Sequence, residues 1–429
     1  MPTSRSVATC TTACRSGSPR TGRPRAGPAA RGGPVHGYRA PRAFDGERFL
    51  PDGALVLVED GAIVAVQPAS APAPAGCPVT DLPAGTLLPG LVDTHVHLCA
   101  DDSPRALDRI PELSADELDA VISTAEQQQL RAGVTTVRDL GDHQWAVVER
   151  ARAGTDGPTV VAAGPPITSP GGHCWSMGGE TSGVDALRRA VRERVDRGAG
   201  VVKVMASGGL LTPGTDLFAC QFSLEELRAL VEEAHRHGLP VTAHAHGLSA
   251  VERSSAAGVD GIEHCSCLTP DGVRTPPDLA RRLVAAGTSV CPTLGRVPGI
   301  DPPAHVQARM QAVGATYEAQ LPNAAALYRA GVTLVAGTDA GIGPVKPHGL
   351  VPLAVAELVG SCGVPVTDAL AGATGVAART CGLADRTGRL RAGLDADLLA
   401  VDGDLATDVT CLQRPRLVLS RGREVRLAG

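Results

Sequence analysis

Lysine is almost missing from this chain. Of its 40 basic side chains only Lys203 and Lys346 are lysines; the rest are arginines. Aromatic residues are scarce too, with 2 Trp, 3 Tyr and 4 Phe in 429 residues. The interior must therefore be built from Ala, Val and Leu, and nucleobases have little to stack on. A formal net charge of −5 offers no general attraction to a phosphate backbone, so no nucleic-acid partner is expected. No apolar run approaches the roughly 20 residues of a membrane helix, so no membrane partner is expected, and no secretory apolar segment is read. Twelve cysteines occur without a CxxC pair, which points to free thiols in a reducing, cytoplasmic compartment. A small-molecule partner remains, with a homo-oligomer left open.

The chain divides by composition. Residues 1–42 are rich in Arg, Pro, Gly and Ser and nearly lack acids, the mark of a disordered or mis-started arm. Within residues 43–86, two β-branched runs flank Asp60-Gly61, which predicts a hairpin. The same strand texture returns in residues 386–429, in Asp397–Val401 and Arg416–Arg426, so both chain ends are expected to complete one small β-sandwich. Between them, in residues 87–385, a short, continuous apolar run followed by a helical segment recurs eight times. The runs end near His97, Asp139, Pro165, Ser207, His246, Cys267, Leu294 and Asp339. Apolarity without alternation marks strands buried on both faces, and the repeat predicts an α/β fold, a (β/α)8 TIM-like barrel. Ser114-Ala-Asp-Glu117 and Ser223-Leu-Glu-Glu226 are capping-box patterns that start two of the helices.

Active sites of such barrels sit at the carboxyl ends of the strands, and there the chemically active residues collect. His95 and His97, two apart on a strand, share a face. Lys203 ends the fourth run, His244 and His264 the fifth and sixth, and Asp339 the eighth. An amine on an apolar strand can be neutral when buried and can take up CO2 as a carbamate, which a guanidinium cannot. The set accommodates two divalent ions: His95, His97 and Asp339 for one, His244 and His264 for the other, with carboxylated Lys203 giving one oxygen to each. Imidazole and carboxylate ligands suit zinc, and also manganese or cobalt, with zinc expected first. A metal-bridging hydroxide would attack a polarised carbonyl, with Asp339 passing its proton to the departing nitrogen.

Leu88–Leu98, Val201-Val-Lys-Val204, Thr242-Ala-His-Ala-His-Gly247, Gly261-Ile-Glu-His264 and Ala336-Gly-Thr-Asp-Ala-Gly341 resemble the amidohydrolase superfamily. Gly133–Gly141, Gly171-Gly-His173, Ala206-Ser-Gly-Gly209 and Pro347-His-Gly349 are similar to its imidazolonepropionase-like branch, which includes Xaa-Pro dipeptidases and related carboxypeptidases. The resemblance implies a carboxylated, bridging Lys203 and an Asp339 that is both ligand and proton shuttle. It also leaves His246 to substrate contact or to support of a ligand from behind, since the similar family puts the metal on the first histidine of that strand.

Further candidates surround the ligands. His173 is expected to be catalytic, bonding the scissile carbonyl or its oxyanion. His348 is expected to close over the substrate, and Arg296 to meet a terminal carboxylate. Trp175, Met177, Cys265 and Cys267 read as buried fillers, Arg138-Asp139 as a structural ion pair, and His235 and His237 as neighbours of a helix C-terminus. The expected activity is metal-dependent hydrolysis of a C–N bond in a dipeptide or N-acyl amino acid. Alternatives are a one-metal hydrolase of a cyclic amide, urea or carbamate, and a non-catalytic scaffold, which would be expected to lack some of these ligands.

Overall fold

In a computed structural model describing residues 33–427, Asp60 and Gly61 both take left-handed backbone, with φ 47° and 76°. Two such residues in succession give the tight turn whose twist matches its flanking strands. Ala54–Glu59 and Ala62–Gln67 accordingly pair antiparallel. His36–Ala40 joins this sheet beside Ala54–Glu59, with Val79–Asp81 parallel on its other side. In a second sheet Gly85–Pro89 lies between Arg42–Phe44 and Leu398–Asp402, and Pro415–Ser420 follows. Tyr38, Val56, Ile63 and Leu87 from one chain end share a core with Leu398 and Leu419 from the other. The β-unit is thus built from both ends.

The expected arm is corrected here. His36–Ala40 falls inside residues 1–42 yet is a strand, and its Tyr38 and Ala40 are buried. Composition averaged over the segment hid a short run that gains its stability from ladder partners and not from its own sequence. The rest of that segment, residues 1–32, lies outside the described residues.

The middle of the chain is parallel α/β. Leu91–Val96, Val134–Asp139 and Thr159–Ala162 form one ladder. Val202–Met205, Val241–Gly247, Gly261–Thr269 and Ser289–Cys291 form another. Single parallel bridges, Ile167 to Val204, Val290 to Leu334 and Val96 to Ala340, link these ladders to each other and to the eighth apolar run. That run is not a ladder strand, which departs from the expectation of eight. Asp339 at its end has φ 59°, which breaks extended geometry, and the amides of Thr338 and Asp339 both turn to His95 O.

Ser114 and Ser223 cap their helices as the patterns predict. Each side chain accepts from the amide three residues on, and the Glu there reaches back to the cap amide. On the second helix Leu227, Leu230, Val231 and Ala234 are buried. Each buried Leu stabilises by about 2 kcal/mol over an exposed one, so packing outweighs propensity in holding this helix. Among the described residues no helix is long and apolar enough to cross a membrane.

Candidate metal centre

Strand alternation puts His95 and His97 on one face, and the left-handed turn at Asp339 brings its carboxylate to them. Asp339 Oδ1 lies 3.2 Å from His95 Nε2 and 3.1 Å from His97 Nε2. A second group of donors, His244, His246 and His264, has ligand atoms all within 4.8 Å of one another. The two groups adjoin: the ring centroids of His95 and His264 are 5.5 Å apart, and those of His244 and His264 4.7 Å apart.

What each histidine offers is decided by the partner of its other nitrogen. His95 Nδ1 donates to Glu263 Oε2 at 2.9 Å and His97 Nδ1 to Gly141 O at 3.2 Å, leaving both Nε2 atoms toward Asp339. Thr293 sends its hydroxyl proton to Pro292 O, so it accepts from His264 Nδ1 at 2.9 Å and frees Nε2. His246 Nδ1 is bonded to Ser266 Oγ at 2.9 Å. His244 is reversed: its Nε2 donates to Gly208 O at 3.1 Å, and Nδ1 remains. Neutral imidazole nitrogens and one ionised carboxylate are a fitting donor set for divalent zinc, manganese or cobalt.

Electrostatics keep four of the five histidines in ligating form; at His97 burial is outweighed by Asp339 and Asp139, which raise its pKa. Burial, followed by neighbouring rings, pushes His244 and His264 well below the ordinary histidine value, and burial takes His95 and His246 to about 4. Burial works against the charge of Asp339, but His95 and His97 outweigh it and hold the carboxylate well below its usual range. Lys203 is buried beside them, and that burial lowers its pKa. Among the described residues no carboxylate comes within 4.0 Å of its ammonium, so a structural ion pair does not account for this lysine.

Glu263, inside the Gly-Ile-Glu-His stretch, went unread in the sequence. Wholly buried, it takes His95 on one oxygen and Arg138 Nη2, at 3.0 Å, on the other. This corrects the expected Arg138-Asp139 pair. Adjacent strand residues face opposite ways, so Arg138 turns to Glu263 while Asp139 accepts from Leu98 N and Gly141 N.

His173 reaches the centre, its ring 4.5 Å from that of His244 and its Nδ1 2.7 Å from Thr212 Oγ1. Gly209 permits this approach, since a Cβ there would come within 2.2 Å of the His173 ring. His246, expected to touch substrate, stands among the donors. Arg296 lines the cavity but is paired with Glu318 at 2.7 Å and lies over the Tyr317 ring. His348 does not line it, contrary to expectation. Both its nitrogens are engaged, with Gln129 Nε2 and with Ala100 O. Met177, Cys265 and Cys267 are buried as expected, whereas Trp175 is 50% exposed. His237 caps its helix and His235 bonds Asp260.

These groups face a cavity of about 260 Å³ walled by apolar residues such as Leu107, Met205, Leu210 and Met310. A larger hollow, about 660 Å³, opens at the amino ends of the strands near Val241, Gly261 and Ser289, but none of the ligand groups faces it.

The amidohydrolase family matches residues 86–425. An ochratoxinase from Aspergillus niger is 30% identical over 364 residues, covering 77% of this chain and 73% of that protein. An imidazolonepropionase from Salinispora tropica is 26% identical over 397 residues, 84% of this chain and 88% of that one. Among solved structures, a Xaa-Pro dipeptidase with methionine bound in its active site superposes with a TM-score of 0.80 at 26% identity, over 91% of this chain and 99% of its own.

Proposed function

This chain belongs to the amidohydrolase family and is a hydrolase of carbon–nitrogen bonds, and from that premise we propose that it cleaves the amide bond of a dipeptide or N-acyl amino acid at a centre of two divalent ions. One observation carries the reading: two adjoining donor groups face one cavity that a buried lysine, without a carboxylate partner among the described residues, also lines. We assign the first ion to His95, His97 and Asp339 and the second to His244 and His264, with Lys203 as the carboxylated bridge. The single bridges that link the parallel ladders support an eight-membered barrel as the frame of this centre.

When bound, the ions supply a polarised carbonyl and a water activated near neutral pH. Asp339, kept ionised by its two histidines, accepts the proton of the attacking water and delivers it to the departing nitrogen. His173, neutral because burial takes its pKa to about 3, accepts the Thr212 hydroxyl proton at Nδ1 and has only the weak Cys174 thiol, 3.5 Å away, at Nε2, so that Nε2 is left to donate to the developing oxyanion. His246, neutral as well, stands with His244 and His264 and would be left to contact the substrate.

A second reading, a one-ion enzyme acting on a cyclic amide, draws on the imidazolonepropionase relative and leaves Lys203 an amine. Metal analysis and reconstitution separate the two. We expect about two ions per chain, the number the two-metal scheme requires, and greater recovery of apo protein with zinc and bicarbonate than with zinc alone. One ion per chain, with equal recovery in CO2-free buffer, overturns the two-ion centre. Dipeptides, N-acyl amino acids and cyclic amides assayed side by side then identify the substrate class.

A further inference from the structure

Both lysines of the chain line the same cavity, and the second has no part in the chemistry above. Lys346 lies in the loop that follows Asp339. That loop is pinned by Gly341 N to Lys346 O and Lys346 N to Gly343 O, both 2.8 Å, and is tied to the neighbouring loop by Val297 N to Val345 O at 3.1 Å. The ammonium donates to Thr293 O at 2.6 Å and more loosely to Leu294 O at 3.5 Å. An ammonium has three donors, so at least one is left to the cavity. Thr293 also accepts from His264 Nδ1; a single residue therefore fixes both a donor of the metal centre and this cation.

The other cations of the cavity are committed. Arg105 is held by Glu112 at 2.9 Å. Arg296, expected from the sequence to receive a carboxylate, is held by Glu318 and stacked on Tyr317. Lys346 alone, besides Lys203, has no carboxylate within 4.0 Å among the described residues. Its distance from the Tyr317 ring centroid is 5.7 Å, and the Tyr317 hydroxyl is turned away to Glu357 and Gly295 N. This half-buried ammonium is bonded only to neutral carbonyls, with Asp339 and Glu357 acting on it from beyond ion-pair distance, and apolar walls strengthen its attraction for an incoming anion.

We infer that Lys346, and not Arg296, receives the free carboxylate of the substrate, so that the enzyme selects N-acyl amino acids or dipeptides over their neutral esters and amides. This rests on the hydrolytic reading above and names the charge its substrate must carry.

The test compares N-acetylphenylalanine with N-acetylphenylalaninamide on zinc-loaded protein, by calorimetric binding and, where cleavage occurs, by kinetics. Wild type should bind the acid about 10- to 100-fold more tightly, the range of a charged hydrogen bond. Lys346→Met should abolish that preference by weakening the acid alone, with metal content unchanged, while Arg296→Met keeps it. Equal binding of acid and amide by wild type, or a preference that survives in Lys346→Met and is lost in Arg296→Met, overturns the inference. Because binding does not require turnover, absence of amide cleavage with the acid preference intact counts against the proposed reaction and upholds the role of Lys346.

Discussion

Glu263 Oε2 lies 2.9 Å from His95 Nδ1, and both side chains are wholly buried. The carboxylate fixes which nitrogen His95 presents to the centre, and it is itself neutralised by Arg138. Glu263→Gln removes that neutralisation and leaves a buried guanidinium uncompensated, which is expected to cost about 3–5 kcal/mol. Metal affinity should fall by about 10- to 100-fold, as when an outer partner of a ligand is lost. Urea unfolding of the metal-loaded protein and a metal titration measure the two effects. A variant with wild-type stability and affinity would deny Glu263 this part.

Lys203→Arg keeps the positive charge but cannot form a carbamate. It should lose activity and bind fewer than two ions. Lys203→Ala should regain part of its activity in the presence of a short-chain acid, which can supply the missing bridging carboxylate. Wild-type turnover in the arginine variant would sink the two-ion assignment.

Asp339→Asn retains an oxygen ligand without a basic site. We expect it to keep some metal while kcat falls by about 10²-fold or more, the usual loss for a missing general base. His173→Asn should instead leave metal content full and lower kcat/KM. Gly209→Ala, whose Cβ would collide with the His173 ring, should resemble His173→Asn. Near-normal kcat in Asp339→Asn would assign proton transfer to another group.

Asp142 gives a stability signal away from the donors. Its Oδ2 accepts from Val147 N and Val148 N, its Oδ1 has no partner, and burial, then the nearby Asp139, push its pKa up to about 7. A carboxyl group whose pKa rises on folding contributes stability below its unfolded value, near 3.8, and loses it as pH rises through about 7. Asp142→Asn keeps one accepting oxygen and cannot ionise. Its Tm should match wild type near pH 4 and exceed it at pH 8; a constant difference across that range would contradict the assignment.

Much was legible in the chain itself. The Asp60-Gly61 hairpin, both capping boxes and the parallel strands that carry His95, Lys203, His244 and His264 rest on local rules: turn chemistry, capping and short continuous apolar runs. Such signals act within a few residues and need no fold to be read. Long-range partners were not legible. Nothing near Arg138 announces Glu263, 125 residues away, and a reading by adjacency chose Asp139, which the strand turns to the other face. His348 and Arg296 were judged by loop position, yet what disposes of them is Ala100 and Gln129 for the first and Glu318 for the second. The scarcity of lysine marked Lys203 and Lys346 alike in the sequence. Only tertiary packing decided that both ammonium groups face one cavity, because the direction and partners of a side chain are settled by whichever segments the fold brings against it.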